Sequence, residues 1–242
     1  MNSLTNLPPF IITLDTDWAP DPVIDFTANI LIKNNVKATW FITHRSPAIE
    51  RLEEHPELFE LGAHPNFFPE SSHGKNPEEV WETIRKIVPQ AKGIRTHGLF
   101  QSTRYYIEAI NRGFIYDAST LLPFHPAPYP VFFKWEEKQI LKIPFVWEDD
   151  VCFSSTKDYH FEVKKQLSIP SVLSFHPIHI YLNTSSVEEY IQWKKIPDSL
   201  KYSHNNFIKN EQTPGTRTAF IQAIEMCKEK SMKLIDWAMI AC

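Results

Sequence analysis

The stretch "FIITLDTDWAPDP", residues Phe10–Pro22, decides how the rest of the chain is read. Apolar and β-branched residues run from Phe10 to Leu14 and then meet two aspartates, Asp15 and Asp17, with one threonine between them. Residues i and i+2 of a strand share a face, so a strand continuing through both would set two carboxylates side by side. A divalent cation cancels that repulsion and turns an unfavourable pair into a site. The plainer reading makes Asp15 a turn or helix cap ahead of "WAPDP".

Working outward from this strand, short apolar strands alternate with helical stretches. "PVIDFTANILIKNN" has helical spacing, with Val23, Phe26, Ile30 and Leu31 on one side. "KATWFIT" is rich in β-branched and aromatic residues and reads as a second strand. "PAIERLEEHPELFE" is helical but broken by Pro56, and "ELGAHP" is the exit of a third strand. "NPEEVWETIRKIV" opens with Asn76 as cap and Pro77 at the first helical position. "KGIRTHG" is a fourth strand, and "TRYYIEAINRG" a helix closed by Gly113. "FIYDAS", "QILKIPFVW", "SVLSFHP" and "MKLIDWAMI" are expected as strands, the last following the helix "TRTAFIQAIEMCKEKS". Strands alternating with helices along the whole chain imply a parallel sheet or barrel. With no repeat or linker, residues 1–242 are expected to form one domain. In a (β/α) barrel the chemistry sits at the C-terminal strand ends. Asp15, Asp17, His64, Arg95 and His176 all follow an expected strand directly.

Composition narrows the function. The apolar share of 43% permits a sizeable core, as in ordinary globular proteins. A net charge of −4 argues against nucleic acid, which is held by concentrated positive charge. Six glycines against nineteen prolines imply stiff, extended connections. Three cysteines, Cys152, Cys227 and Cys242, form no paired framework, which fits a reducing compartment. The start "MNSLTNLPPF" lacks the charged and apolar regions of a secretory signal. No apolar run approaches the roughly 18 residues needed to cross a bilayer. A cytoplasmic setting without a membrane span is the expectation.

Histidine and aspartate together suit zinc or a similar transition metal with one position left for water. "GAHPNFFPESSHG" supplies His64 and His73.

Taken in order, "TLDTDWAPD", "NNVKATWFIT", "LFELGAHPNF", "GIRTHG", "GFIYDAS" and "SVLSFHP" resemble the polysaccharide deacetylase family, carbohydrate esterase family 4, also called the NodB homology domain. The resemblance spans about Phe10 to His176, with a weaker echo in the closing segments. It implies a distorted (β/α)7 barrel, in agreement with the segment count. It also implies that Asp15 is the general base, Asp17 and His64 are metal ligands, Arg95 orients and charge-compensates Asp15, and His176 protonates the departing amine. The implied cofactor is a divalent metal: zinc, with cobalt, manganese or nickel as substitutes.

Two departures qualify the match. The family's second histidine lies four residues after the first, where this chain has Phe68, which cannot bind a metal. His73 is the favoured third ligand, with His97 in "RTHG" and Asn66 as rivals. Near His176, "SFHPIHIYLNT" also holds His179, expected to border substrate or pack at the rim. The run "WEDD" (Trp147–Asp150) is expected to supply, through Asp149 or Asp150, the carboxylate that fixes the catalytic imidazole in one tautomer. "HPAPYPVFF" and "EQTPGTRTAF" are expected as loops over the barrel mouth, with Tyr129, Phe132 and Phe133 as candidate sugar contacts and Arg217 as a candidate for an anionic group.

The expectation is a metal-dependent hydrolase that removes an N-acetyl or N-formyl group from an amino sugar, a nucleotide- or lipid-linked precursor of a surface polysaccharide, with an N-acylated sugar or glycan as partner. The alternatives are an inactive glycan-binding relative and a metal-independent amide hydrolase on the same fold.

Overall fold

A computed structural model describes residues 7–123, 128–156, 158–160, 169–197 and 213–241. Cys242, residues 125–127 of the "HPAPYPVFF" loop and residues 211–212 of the "EQTPGTRTAF" loop lie outside the described residues. Strand β1 (Phe10–Asp15) is buried along its whole length, as a parallel strand covered on both faces must be. It pairs in parallel with β2 (Ala38–Ile42) on one side and β9 (Ser171–Phe175) on the other. Beyond β2 follow β3 (Phe59–Ala63), β4 (Gly93–Ile94), β5 (Tyr116–Asp117) and β7 (Lys138–Lys142), all parallel. Strand β6 (Val131–Trp135) closes that edge antiparallel to β7. On the other edge β8 (Trp147–Glu148) pairs with β9. The result is a nine-stranded sheet in the order β6-β7-β5-β4-β3-β2-β1-β9-β8, curved into a distorted barrel of the (β/α)7 type.

Alternation along β1 sorts its residues between two cores. Phe10, Ile12 and Leu14 join Trp40, Ile42 and the helices in the outer core. Ile11 joins Phe41, Tyr116, Leu141, Phe145 and Val172 in the barrel interior. Helix α1 (Asp21–Asn34) buries Val23, Ile24, Ala28 and Leu31; Phe26 and Ile30 are only partly covered. Helix α2 (Pro47–Glu53) stops ahead of Pro56. Helix α3 (Pro77–Ile87) starts as its sequence requires, the Asn76 side chain accepting from Glu79 N–H at 3.1 Å. Helix α4 (Thr103–Asn111) is followed by Gly113 at φ +78°.

Two strand expectations are corrected. "QILKIPFVW" is not one strand but β7 and β8, separated by Pro144. "MKLIDWAMI" is a helix, Leu234–Ala241, and not a strand. A short apolar run carries too little periodicity to separate the two, and here the helix start is fixed by tertiary partners. Leu234 N–H donates to Thr39 Oγ1 at 2.8 Å and Ile235 N–H to Glu60 Oε2 at 2.9 Å. Leu234, Trp237 and Ala238 then close the barrel interior at the N-terminal end of the strands.

Glu60 anchors that closure, accepting also from Thr39 Oγ1 and Tyr116 Oη, each at 2.7 Å. Glu60→Ala is expected to cost about 2–3 kcal/mol, because it leaves donors of the helix start and of Tyr116 without an acceptor. Thermal melting is expected to read this as a drop of several degrees. A melting temperature within about one degree of the parent would refute the assignment.

Among the described residues no helix is long and apolar enough to cross a membrane.

Candidate active site at the C-terminal rim of the sheet

Backbone register brings the polar residues to one level. His64 N–H bonds to the last carbonyl of β2, Ile42, and Arg95 N–H to the last carbonyl of β3, Ala63, each at 3.0 Å. His176 directly follows β9. Asp15, Asp17, His64, His97, Glu148, Asp150 and His176 all line one cavity of about 220 Å³.

Asp15 ends β1 and points into the barrel, where it is 2% exposed. Its Oδ1 accepts from Arg95 Nη1 at 2.9 Å. The guanidinium is fully buried and clamped between the rings of Phe41 and Phe145, at 4.5 and 4.4 Å from their centroids. It also donates to Ala118 O, Thr13 Oγ1 and Ser174 Oγ. A guanidinium held this rigidly fixes the direction of the Asp15 carboxylate.

Asp17 does not share the strand face with Asp15. The strand ends at Asp15, and Asp17 and Trp18 both take left-handed backbone, at φ +43° and +56°. Non-glycine residues enter that region at a cost and cluster at functional sites. The repulsion expected from strand alternation is thus relieved by a turn, and each carboxylate meets its own cationic or donor groups. Asp17 Oδ1 lies 3.1 Å from His64 Nε2 and 3.1 Å from His97 Nδ1, and its Oδ2 is 3.6 Å from His176 Nε2. Burial works against its charge, but hydrogen bonds from His64 and His97 and the nearby His176 hold its carboxyl well below the usual range. The same contact raises the pKa of His97 against its burial.

His97, not His73, stands with Asp17 and His64: ligating atoms of these three converge within 4.8 Å. His73 is committed elsewhere. Its Nε2 donates to Thr43 O at 2.7 Å, and its Nδ1 accepts from Asn66 N–H at 3.0 Å. It therefore clasps its own loop onto the turn after β2, and the structure brings His97 rather than His73 beside Asp17 and His64. Asn66 is also engaged, its Oδ1 accepting from Phe68 N–H. His97 reaches the cluster because its N–H bonds to Pro65 O at 2.9 Å, which docks its loop beside His64. The donor set of one carboxylate and two imidazoles fits a divalent transition metal with open positions. His64 is oriented for it, since its Nδ1 bonds to Arg95 O at 2.8 Å and leaves Nε2 facing the cluster.

His176 Nδ1 is 2.6 Å from Asp149 Oδ1, and Asp149 Oδ2 accepts from His176 N–H at 2.7 Å. Burial opposes the imidazolium, but Asp149, then Asp150 and Asp17, raise its pKa well above the ordinary value. His179 is the less available ring. Its Nε2 pairs with Asp150 at 2.9 Å, its Nδ1 with Thr184 Oγ1 at 3.1 Å, and it packs on Phe153 and Tyr190. Asp150 is 52% exposed in its side chain. Against a partial loss of hydration, the bond from His179 and the charges of His176 and His179 hold it down to about 2. Trp147 packs against Phe175.

Glu148, the first acid of "WEDD", also lines the cavity. It lies on β8, so alternation turns it to the face opposite Trp147. Its carboxylate converges with Asp15 and His176. Burial, with Asp15, Asp149 and Asp150 adding to it and His176 opposing, pushes its pKa up to about 7. The signal available in the sequence was its position at a strand exit.

Other candidates sit away from the cavity. Arg217 caps a short helix, Pro177–Leu182, donating to Ile180 O and Tyr181 O, and stacks over Phe26. "HPAPYPVFF" is not a loop throughout: Phe132 and Phe133 lie on β6 of the edge hairpin, Tyr129 precedes it, and Phe133 packs on Tyr106.

Residues 12–194 match the family described as WbmS-like polysaccharide deacetylase. Among solved structures, the chain is 30% identical to a Bordetella bronchiseptica protein assigned as a polysaccharide deacetylase involved in O-antigen biosynthesis, with 91% of each chain covered and a TM-score of 0.75. A Mycobacterium smegmatis structure assigned to the polysaccharide deacetylases covers 97% of this chain and 90% of its own at 12% identity and a TM-score of 0.55. A family 4 carbohydrate esterase from Bacillus anthracis covers 98% of this chain and 84% of its own at 15% identity and a TM-score of 0.50. The last two similarities concern the fold. No curated protein matches the chain.

Proposed function

The chain belongs to the WbmS-like polysaccharide deacetylases, a family of hydrolases of carbon–nitrogen bonds in sugars, and from that premise we propose that it is a metal-dependent N-deacylase of an amino sugar. The observation that carries the proposal is the meeting, in one cavity, of the Asp17–His64–His97 cluster with the Arg95–Asp15 and Asp149–His176 pairs.

Asp17, His64 and His97 would hold the metal, with zinc first and cobalt, manganese or nickel as substitutes. When bound, such an ion supplies Lewis acidity, polarising the acyl carbonyl and lowering the pKa of water. Asp15 removes the proton of the attacking water, held in position for the task by Arg95. His176 carries the proton delivered to the nitrogen as the C–N bond breaks, and Asp149 fixes its tautomer and stabilises its charge. A C–O bond forms as the C–N bond is lost, so the products are a carboxylic acid and a free amine.

The similarity to a protein assigned to O-antigen biosynthesis supports a precursor of a surface polysaccharide as substrate, as a nucleotide- or lipid-linked N-acetyl or N-formyl sugar. Cys152 and Cys227 are free buried thiols, which suits a cytoplasmic setting for that step.

The test is acetate and formate release from N-acylated nucleotide sugars by zinc-loaded protein, repeated after chelation. Release that stops on chelation and returns with metal is expected. Release indifferent to chelation would favour a metal-independent hydrolase. Stoichiometric metal with no release from any substrate would favour an inactive glycan-binding protein.

A further inference from the structure

Two partly exposed aromatic rings pack against His97, which lines the cavity. Trp18 is 37% exposed and Phe68 45% exposed. Their ring centroids lie 5.3 and 6.4 Å from that of His97, both edge-to-face. Exposed large rings adjoining a polar catalytic cavity mark a binding surface more often than single apolar residues elsewhere do.

Both rings are held in place. Trp18 keeps its left-handed backbone, an outlier for so bulky a residue, because its N–H is tied to Thr43 Oγ1 at 3.0 Å. Thr43 is in turn gripped through its carbonyl by His73, and the His73 ring also lies 5.4 Å from that of Trp18. Phe68 lies over Gly98, where φ is +61° and an added Cβ would fall 2.3 Å from the Phe68 ring. Phe68 thus keeps an apolar surface in water at the position where the family resemblance would have a metal-binding histidine, and Trp18 adds a second ring against the same His97.

We propose that Trp18 and Phe68 form a stacking platform for the apolar C–H face of the pyranose ring whose acylamino group enters the cavity. The proposal rests on the deacylase reading and names the substrate element that the rim recognises. A cavity of about 220 Å³ takes the acylamino group and the near edge of one sugar residue, so the ring itself stands at the mouth. There its C–H face meets the aromatic rings, and its hydroxyls face Asp150, which lines the same cavity and is half exposed. Amphipathic ligands of this kind suit aromatic rings beside polar acceptors.

The test uses full-length, metal-loaded protein and two probes: N-acetylglucosamine, with N-acetylgalactosamine as its epimer, and acetamide, which has the amide without the ring. Affinities are read by saturation-transfer NMR titration on the parent, Trp18→Leu, Phe68→Leu and Trp18→Phe. The leucine variants keep apolar bulk without a π face and are expected to lose about tenfold in hexosamine affinity, while acetamide affinity and metal content stay unchanged. Trp18→Phe is expected to stay within about threefold of the parent. Hexosamine affinity unchanged in both leucine variants overturns the platform alone. So does an equal loss for acetamide, which would mean that the rings only shape the metal site. A metal-loaded parent that binds neither hexosamine overturns the sugar deacylase reading together with the platform.

Discussion

His97→Ala is expected to abolish metal retention, while His73→Ala leaves metal stoichiometry intact. Metal content after dialysis against a weak chelator, by atomic emission, separates the two. The expectation follows from where each imidazole spends its nitrogens. His97 Nδ1 stands 3.1 Å from the Asp17 carboxylate beside His64. Both nitrogens of His73 are bonded to loop backbone, at Thr43 and Asn66. Loss of an outer partner of a metal ligand typically costs about 10–100-fold in affinity, and loss of a ligand from a three-residue set exceeds that. His64→Ala serves as the positive control. His73→Ala is expected to lower the melting temperature by a few degrees, because it frees the Thr43 carbonyl and the Asn66 N–H. Normal metal content in His97→Ala, or an empty site in His73→Ala, would put the third ligand elsewhere.

The other large effect is expected at His176. An amine leaves a tetrahedral intermediate poorly until it is protonated, and a positioned acid typically contributes about 10²–10⁴-fold. His176→Ala is expected to lower turnover of an N-acetylated sugar by about that factor with metal retained. An activated ester such as 4-nitrophenyl acetate scarcely needs the proton, so its hydrolysis should fall far less. His179→Ala should be milder, since both nitrogens of that ring are taken up by Asp150 and Thr184. A leaving-group-dependent loss in His179→Ala, with His176→Ala near normal, would exchange the two assignments.

Much of the frame was legible in single residues. Asn76 and Pro77 announced the start of their helix, because an N-cap needs only its own next turn. The exits of β1, β3, β4 and β9 at Asp15, His64, Arg95 and His176 were legible because an apolar strand ending in a polar residue is a local pattern. The run "WEDD" pointed to a carboxylate for His176, and Asp149 stands there at 2.6 Å. Glu148 is not legible in the same way, because in a run of three acids only its place in the sheet distinguishes it from its neighbours.

The sequence by itself determined the alternation of strands and helices, and hence the end of the sheet at which the polar residues gather. Tertiary structure decided which of those residues meet. Strand periodicity placed Asp15 and Asp17 on one face, but the left-handed backbone at Asp17 turns its carboxylate toward two histidines instead. Chain spacing favoured His73, nine residues after His64, over His97, which comes after the next strand. One backbone hydrogen bond, from His97 N–H to Pro65 O, brings the distant loop in, while the nearer histidine is used to close its own. The "MKLIDWAMI" run became a helix for the same kind of reason, since Thr39 and Glu60 wait beneath the barrel for its first N–H groups. Periodicity is written into a stretch of chain, whereas ligand convergence and helix capping depend on contacts between segments that no local pattern specifies.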